Sequence, residues 1–168
     1  ASRGLGDVYK RQGVISGDRF QSVTNRIAAL PIPTIAVLTG NVFGGGAELA
    51  LSCDFRIGRA GMTLRIPAAA IGLCYPVEGI ERLTRRLGPN LCKRLLVAAE
   101  TFSSEQLLAH QLLDSVHSAD EVRAAAQAYA ETLLKPAPLS VSTQLDLIRK
   151  IEPGTYVGTH AATLPHHC

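Results

Sequence analysis

Residues 33–57 read PTIAVLTGNVFGGGAELALSCDFRI, and the fold is decided in this stretch. Residues 34–39 form a β-branched, apolar run with no polar alternation, the pattern of a strand buried on both faces. A turn over residues 40–46 follows and ends in three consecutive glycines. Residues 47–53 then continue as a short apolar helix, and residues 55–58 and 62–66 are two further short strands.

A strand, a glycine triplet and a helix in direct succession have a chemical consequence. Gly44, Gly45 and Gly46 carry no Cβ, so a ligand can approach their main chain closely. The helix that starts at once leaves its first N–H groups unpaired, which makes an anion or oxyanion site. The neighbouring residues narrow the choice of anion. A nucleotide P-loop needs a lysine and a hydroxyl after its last glycine, where Ala47 stands. A dinucleotide fingerprint needs a glycine three residues beyond Gly46, where Leu49 stands. There is no Gly-x-Ser-x-Gly nucleophile elbow. Close strand–helix packing without a ligand is the competing reading of the glycines. Glu48 lies nearly one turn after Gly45 and so shares its face. A carboxylate there can carry a proton while the N–H groups hold developing charge on oxygen. It would equally serve as a first-turn acid on the helix dipole, a contribution of about 0.3–1 kcal/mol.

Outward from this centre the pattern stays mixed. Residues 18–30 place Phe20, Val23, Ile27 and Leu30 three and four apart, an amphipathic helix with Asp18 as its cap and Pro31 and Pro33 closing it. Downstream, helices are expected over residues 77–87, ended by Gly88-Pro89, and over 91–99, 103–110, 119–134 and 139–150. The fold class is therefore α/β with a helical C-terminal extension. Residues 1–12 lack apolar periodicity and are read as a non-native leader. Residues 13–150 are read as a partial domain, with a core over 18–100 and C-terminal helices over 101–150. Residues 151–168 are read as a disordered tail.

Hydrophobic residues make up 46% and charged residues 18%, a globular balance. The net charge of +3 is mild and aromatics are only 5%, which argues against a nucleic-acid partner. Arg82, Arg85, Arg86, Lys93 and Arg94 fall at helical spacings that a solvated face would explain. Cys53, Cys74, Cys92 and Cys168 form no C-x-x-C pair and read as reduced thiols of a cytoplasmic or organellar interior. His160, His166, His167 and Cys168 crowd the tail and could bind a metal adventitiously, but a disordered end is the preferred reading and no metal site is expected. No apolar run is long enough for a membrane span.

The whole of residues 33–57 resembles the central signature of the crotonase fold, that of the enoyl-CoA hydratase/isomerase family. The signature runs through a proline-led strand, a glycine triplet, a Glu-Leu-Ala helix, then Asp and a strand. Residues 67–72, Glu81-Arg82-Leu83, Arg86-Leu87-Gly88 and residues 99–116 extend the likeness to about residues 18–150. The resemblance implies a spiral of ββα turns whose C-terminal helices mediate trimers, often paired into hexamers. It implies an acyl-CoA thioester substrate, with coenzyme A entering only as part of that substrate and no separate cofactor. Gly45 N–H would be one oxyanion donor, with Gly44, Gly46, Pro67 and Ala68 lining the substrate. The second donor and most of the adenine grip belong to a part of the domain upstream of residue 13. Family hydratases use two glutamates. The first matches Glu48, and the second follows a proline, where Pro67 is followed here by Ala68. Glu78 is the nearest other carboxylate and reads as a solvated first-turn acid. The expected function is an acyl-CoA enzyme that stabilises an enolate-type anion. The alternatives are a catalytically silent acyl-CoA-binding or oligomerising paralogue, or an inactive truncated piece.

Overall fold

The computed structural model describes residues 14–151. The chain begins with helix α1 (Val14–Ala28), then strands β1 (Ile35–Leu38) and β2 (Val42–Phe43) and helix α2 (Gly45–Ser52). Strands β3 (Phe55–Arg59) and β4 (Thr63–Arg65), a 3-10 turn (Ala69–Ile71) and helix α3 (Val77–Leu96) follow. Strand β5 (Thr101–Ser103), helix α4 (Ser104–Ala109) and strand β6 (Ser115–His117) lead to helices α5 (Val122–Leu133) and α6 (Pro138–Ile151).

Two three-stranded sheets carry this order. One is the parallel sheet β1-β3-β6, and the other is β2-β4-β5, in which β2 and β4 are parallel and β5 is antiparallel. Each of the two ββα units, β1-β2-α2 and β3-β4-α3, places one strand in each sheet before its helix. The strands are short because the chain must change sheet every few residues. The expected ββα spiral is the architecture observed.

At its central strand, β3, the first sheet is covered on both faces. On one face Ile57 joins Val122 and Ala126 of α5, and Phe55 meets Tyr129 edge-on with ring centroids 5.1 Å apart. On the other, Gly58 lets Leu113 and Met62 close over the strand, since a Cβ there would lie 2.6 Å from Leu113 Cδ1. Those two side chains belong to the main core with Leu51, Leu64, Leu83, Leu95, Phe102 and Leu107.

Three expectations are corrected. Strand β1 is not buried on both faces: Val37 is 38% exposed, because among the described residues β1 is the edge of its sheet and pairs only with β3. Asp18 lies inside α1 and does not cap it. The region after residue 91 is not purely helical. The three-residue strands β5 and β6 are too short to show periodicity, yet they complete both sheets. Among apolar residues after residue 103, Leu107 and Leu112 are buried in the core, while Leu134 and Ile148 are exposed. Gly88 does break the helix as expected. Its φ of 74° is left-handed, and Pro89 opens the second segment of α3.

One polar knot ties the last helix to the sheet. Asp54 accepts from Thr34 N at 2.9 Å and Thr34 Oγ1 at 2.7 Å, and Arg149 of α6 reaches its two oxygens at 2.8 and 3.0 Å. Arg149 also donates to Leu30 O at 2.7 Å, so the entry to β1, the entry to β3 and the end of α6 share one node. Removing one partner of a buried pair strands the other, typically at about 3–5 kcal/mol. Asp54→Ala should therefore lower unfolding stability by about that amount in urea titration, whereas Leu139→Ala on the exposed part of α6 should change it by less than about 0.5 kcal/mol. A loss below about 1 kcal/mol for Asp54→Ala would show that the knot does not anchor α6.

Candidate active site

The site is built where β2 turns into α2. Gly44 adopts φ 49° and ψ −117°, a conformation that strains any residue with a Cβ, and its N–H donates to Arg65 O at 3.0 Å. The pairing Phe43↔Arg65 thus carries on into the turn and sets the glycines beside Pro67, at the carboxyl ends of two parallel strands. Ligands in α/β sheets settle at such ends. The helix closes with Ala47 and Glu48 N–H on Gly44 O, at 3.0 and 3.4 Å. Gly45 and Gly46 are exposed, and their N–H groups, the first two of the helix, have no acceptor among the described residues. Phe20 of α1 packs on Gly45, where a Cβ would come within 3.0 Å of the ring.

Glu48 sits one turn along and is buried, 1% exposed. Arg82 of α3 pairs with it, Nη1 to Oε1 at 3.0 Å, and Thr24 of α1 donates weakly to the same oxygen at 3.5 Å. Gln21, with its amide turned to suit both neighbours, donates to Oε1 at 3.1 Å and accepts from Gly79 N at 3.1 Å. Gly79 allows this convergence, because a Cβ there would lie 2.8 Å from the Tyr75 ring and 3.3 Å from Glu48 Oε1. The Tyr75 hydroxyl is buried and meets no partner in hydrogen-bonding geometry. Burial, and then the adjacent Glu48 carboxylate, push its pKa well above the usual tyrosine value, so the phenol stays protonated.

Pro67 and Ala68 follow β4 and are half-buried, with Ala68 packed against the main core. Ala68 O accepts from Leu73 N at 2.8 Å, which folds the loop back toward Tyr75 and the start of α3. Glu78 is exposed in the first turn of α3 and lines a cavity with Asn25, Glu81, Arg82 and Arg85. The structure therefore places Gly45 and Glu48 together on α2 and the Pro67–Ala68 loop beside the glycine turn.

The reading of the basic residues as one solvated face needs correction. Arg85 and Lys93 are exposed, but Arg82 is committed to Glu48, Arg86 donates to Cys53 O, and Arg94 pairs with Glu100 and lies over the Phe102 ring. Arg82, Gln21, Thr24, Tyr75 and Gly79 are the residues around Glu48 that sequence reasoning missed. One usable signal existed: Gln21 and Thr24 share a face of α1, and Arg82 lies three residues beyond a glycine in the next amphipathic helix.

Among the described residues no group of three or more His, Cys, Asp or Glu could hold a metal ion, and the histidines of the tail lie outside them. Burial pushes the Cys53 thiol up, which leaves it unreactive. No helix among the described residues is long and apolar enough to cross a membrane.

The family model for enoyl-CoA hydratase/isomerase matches residues 4–151. The mitochondrial enoyl-CoA hydratase domain-containing protein 2 of Bos taurus is 36% identical over 127 residues, covering 73% of this chain and 43% of that protein. The short-chain-enoyl-CoA hydratase of Clostridium acetobutylicum is 28% identical over 145 residues, covering 84% of this chain and 56% of that protein. Among solved structures, a methylmalonyl-CoA decarboxylase superposes with a TM-score of 0.76 at 25% identity, over 83% of this chain and 55% of that one. The chain spans about half the length of the curated relatives it matches. With a glycine turn opening α2, a glutamate one turn on and the match over residues 4–151, the chain belongs to the enoyl-CoA hydratase/isomerase family.

Proposed function

We propose that this protein acts on acyl-CoA thioesters by stabilising an enolate-type anion. The observation that carries this reading is the exposed start of α2, where the Gly45 and Gly46 N–H groups have no acceptor within the described chain. A thioester oxygen at Gly45 N–H would meet a fixed donor reinforced by the helix N-terminus. Glu48, one turn away, would take or return the proton at the adjacent carbon. Gly44, Gly46, Pro67 and Ala68 would form the walls around the reacting group. Coenzyme A would enter as part of the substrate, without a separate cofactor. Exposed apolar residues at the end of α5 and on α6, Leu134 and Ile148 among them, would serve a trimer or hexamer.

One observation favours a second reading, a catalytically silent acyl-CoA-binding paralogue. Glu48 is buried and its Oε1 is already occupied by Arg82, Thr24 and Gln21. The two readings part on a single substitution in the full-length protein. Glu48→Gln keeps the shape and one oxygen to accept from Arg82, but it loses the charge and cannot take up a proton. Turnover of an acyl-CoA substrate should fall at least about 10²-fold while thioester affinity stays within about twofold. A wild type that binds the thioester and never turns it over would establish the silent reading. Unchanged turnover in Glu48→Gln would reduce Glu48 to a structural ion pair.

Ala68 generates a further expectation. With one carboxylate in place of two, hydration of a simple 2-enoyl-CoA should be weak in the wild type, and Ala68→Glu should raise it. Ala68 is half-buried and follows β4, the strand paired with the one that leads into the glycine turn. Brisk hydration by the wild type would mean that another acid fills the second role, with Glu78 the first to substitute.

A further inference from the structure

The donors in hydrogen-bonding geometry with Glu48 share one oxygen, and the buried Tyr75 hydroxyl lies beside the carboxylate. Arg82 Nη1 at 3.0 Å, Gln21 at 3.1 Å and Thr24 Oγ1 at 3.5 Å all converge on Oε1. Arg82 is itself held at several points. Its Nη1 also reaches Ser52 Oγ at 3.5 Å, and its Nη2 donates to Asn25 Oδ1. Ser52 is fixed in turn by donating to Glu48 O at 2.8 Å. The guanidinium thus joins α3 to α2 through Glu48 and Ser52, and to α1 through Asn25. Its planar fork suits this arrangement, since it can meet several acceptors without rotating.

From this geometry we infer that Arg82 is a positioning residue for the proposed reaction, locking Oε1 of Glu48 so that Oε2 alone handles the proton. The inference rests on the acyl-CoA reading and gives it a specific working atom. In the step concerned, Oε2 takes the proton on the carbon next to the thioester carbonyl. The C–H electron pair passes into the enolate, whose oxygen is held at Gly45 N–H, and the return of the proton reverses the flow. A carboxylate free to rotate would offer either oxygen at variable distance, and misplacement by about 1 Å can cost on the order of 10²-fold in rate. Arg82 also accounts for a buried carboxylate in a chain whose neighbouring loop carries Ala68: one glutamate held in a single orientation has to act without a second one to align the substrate.

Exchange of the α-proton of butyryl-CoA in deuterated water tests this, because it needs only proton removal and return. In the full-length protein, Arg82→Ala should lower kcat for exchange by about 10²-fold with KM within about twofold. Added guanidinium ion should recover at least about tenfold of that loss while leaving the wild type unchanged, a response that a purely structural role would not give. Arg82→Lys keeps the charge but not the fork, and should fold normally with an intermediate loss. Full-rate exchange in Arg82→Lys overturns the inference even where Arg82→Ala does not fold. So does a rise in KM at constant kcat, or a folded Arg82→Ala that ignores guanidinium. Exchange lost in Glu48→Gln but intact in both Arg82 variants overturns the role of Arg82 alone. Absence of exchange in the wild type, or its survival in Glu48→Gln, overturns the acyl-CoA reading and this inference with it.

Discussion

A carboxylate buried beneath a helix must be paired or it will not stay charged, and the centre of this molecule is arranged to meet that demand. Glu48 reaches Arg82 from α2, and helices α1, α2 and α3 meet around the pair. Helix α1 supplies Gln21, Thr24 and Asn25, α2 supplies Ser52, and α3 supplies Arg82 and the bare backbone of Gly79. A Cβ at Gly79 would press on both Tyr75 and Glu48, so the absence of a side chain there is as much a part of the arrangement as the charges are. Buried ion pairs seldom add stability over an apolar filling of the same shape, whereas removing one partner of such a pair is strongly destabilising.

The same helix that carries Glu48 inward presents its first two amides outward. Gly44 makes the turn possible, and the β2–β4 pairing fixes it against the strand that leads into Pro67 and Ala68. Rigid strands on one side and an ion-paired helix on the other leave little freedom for the amide donors to reorient. Such pre-organised donors can stabilise developing charge without rearranging during the reaction.

Much of this was legible in residues 33–57. A β-branched run, three glycines and a Glu-Leu-Ala helix specify a strand, a tight turn and a helix N-terminus; helical phase puts Glu48 on the face of Gly45, and only the family resemblance singles it out from a helix-dipole acid. What could not be read were the partners brought from a distance. Arg82 looks like one cation among several at helical spacing, and only tertiary packing separates it from Arg85, which remains exposed. Strands β5 and β6 were missed because three residues carry no period, although pairing with β4 and β3 determines their conformation. Strand β1 looked fully buried because an apolar run does not reveal which neighbours it has, and here Val37 lies partly open at an edge.

The claim on which the functional account turns is that the amide at Gly45 receives the thioester oxygen. Selective ¹⁵N labelling of glycine in the full-length protein, followed by titration with butyryl-CoA, addresses it directly. The account predicts that the Gly45 resonance moves downfield in the proton dimension, by more than any other glycine, and saturates together with binding. Binding that leaves Gly45 in place while moving glycines remote from the turn, such as Gly58 or Gly88, would contradict it.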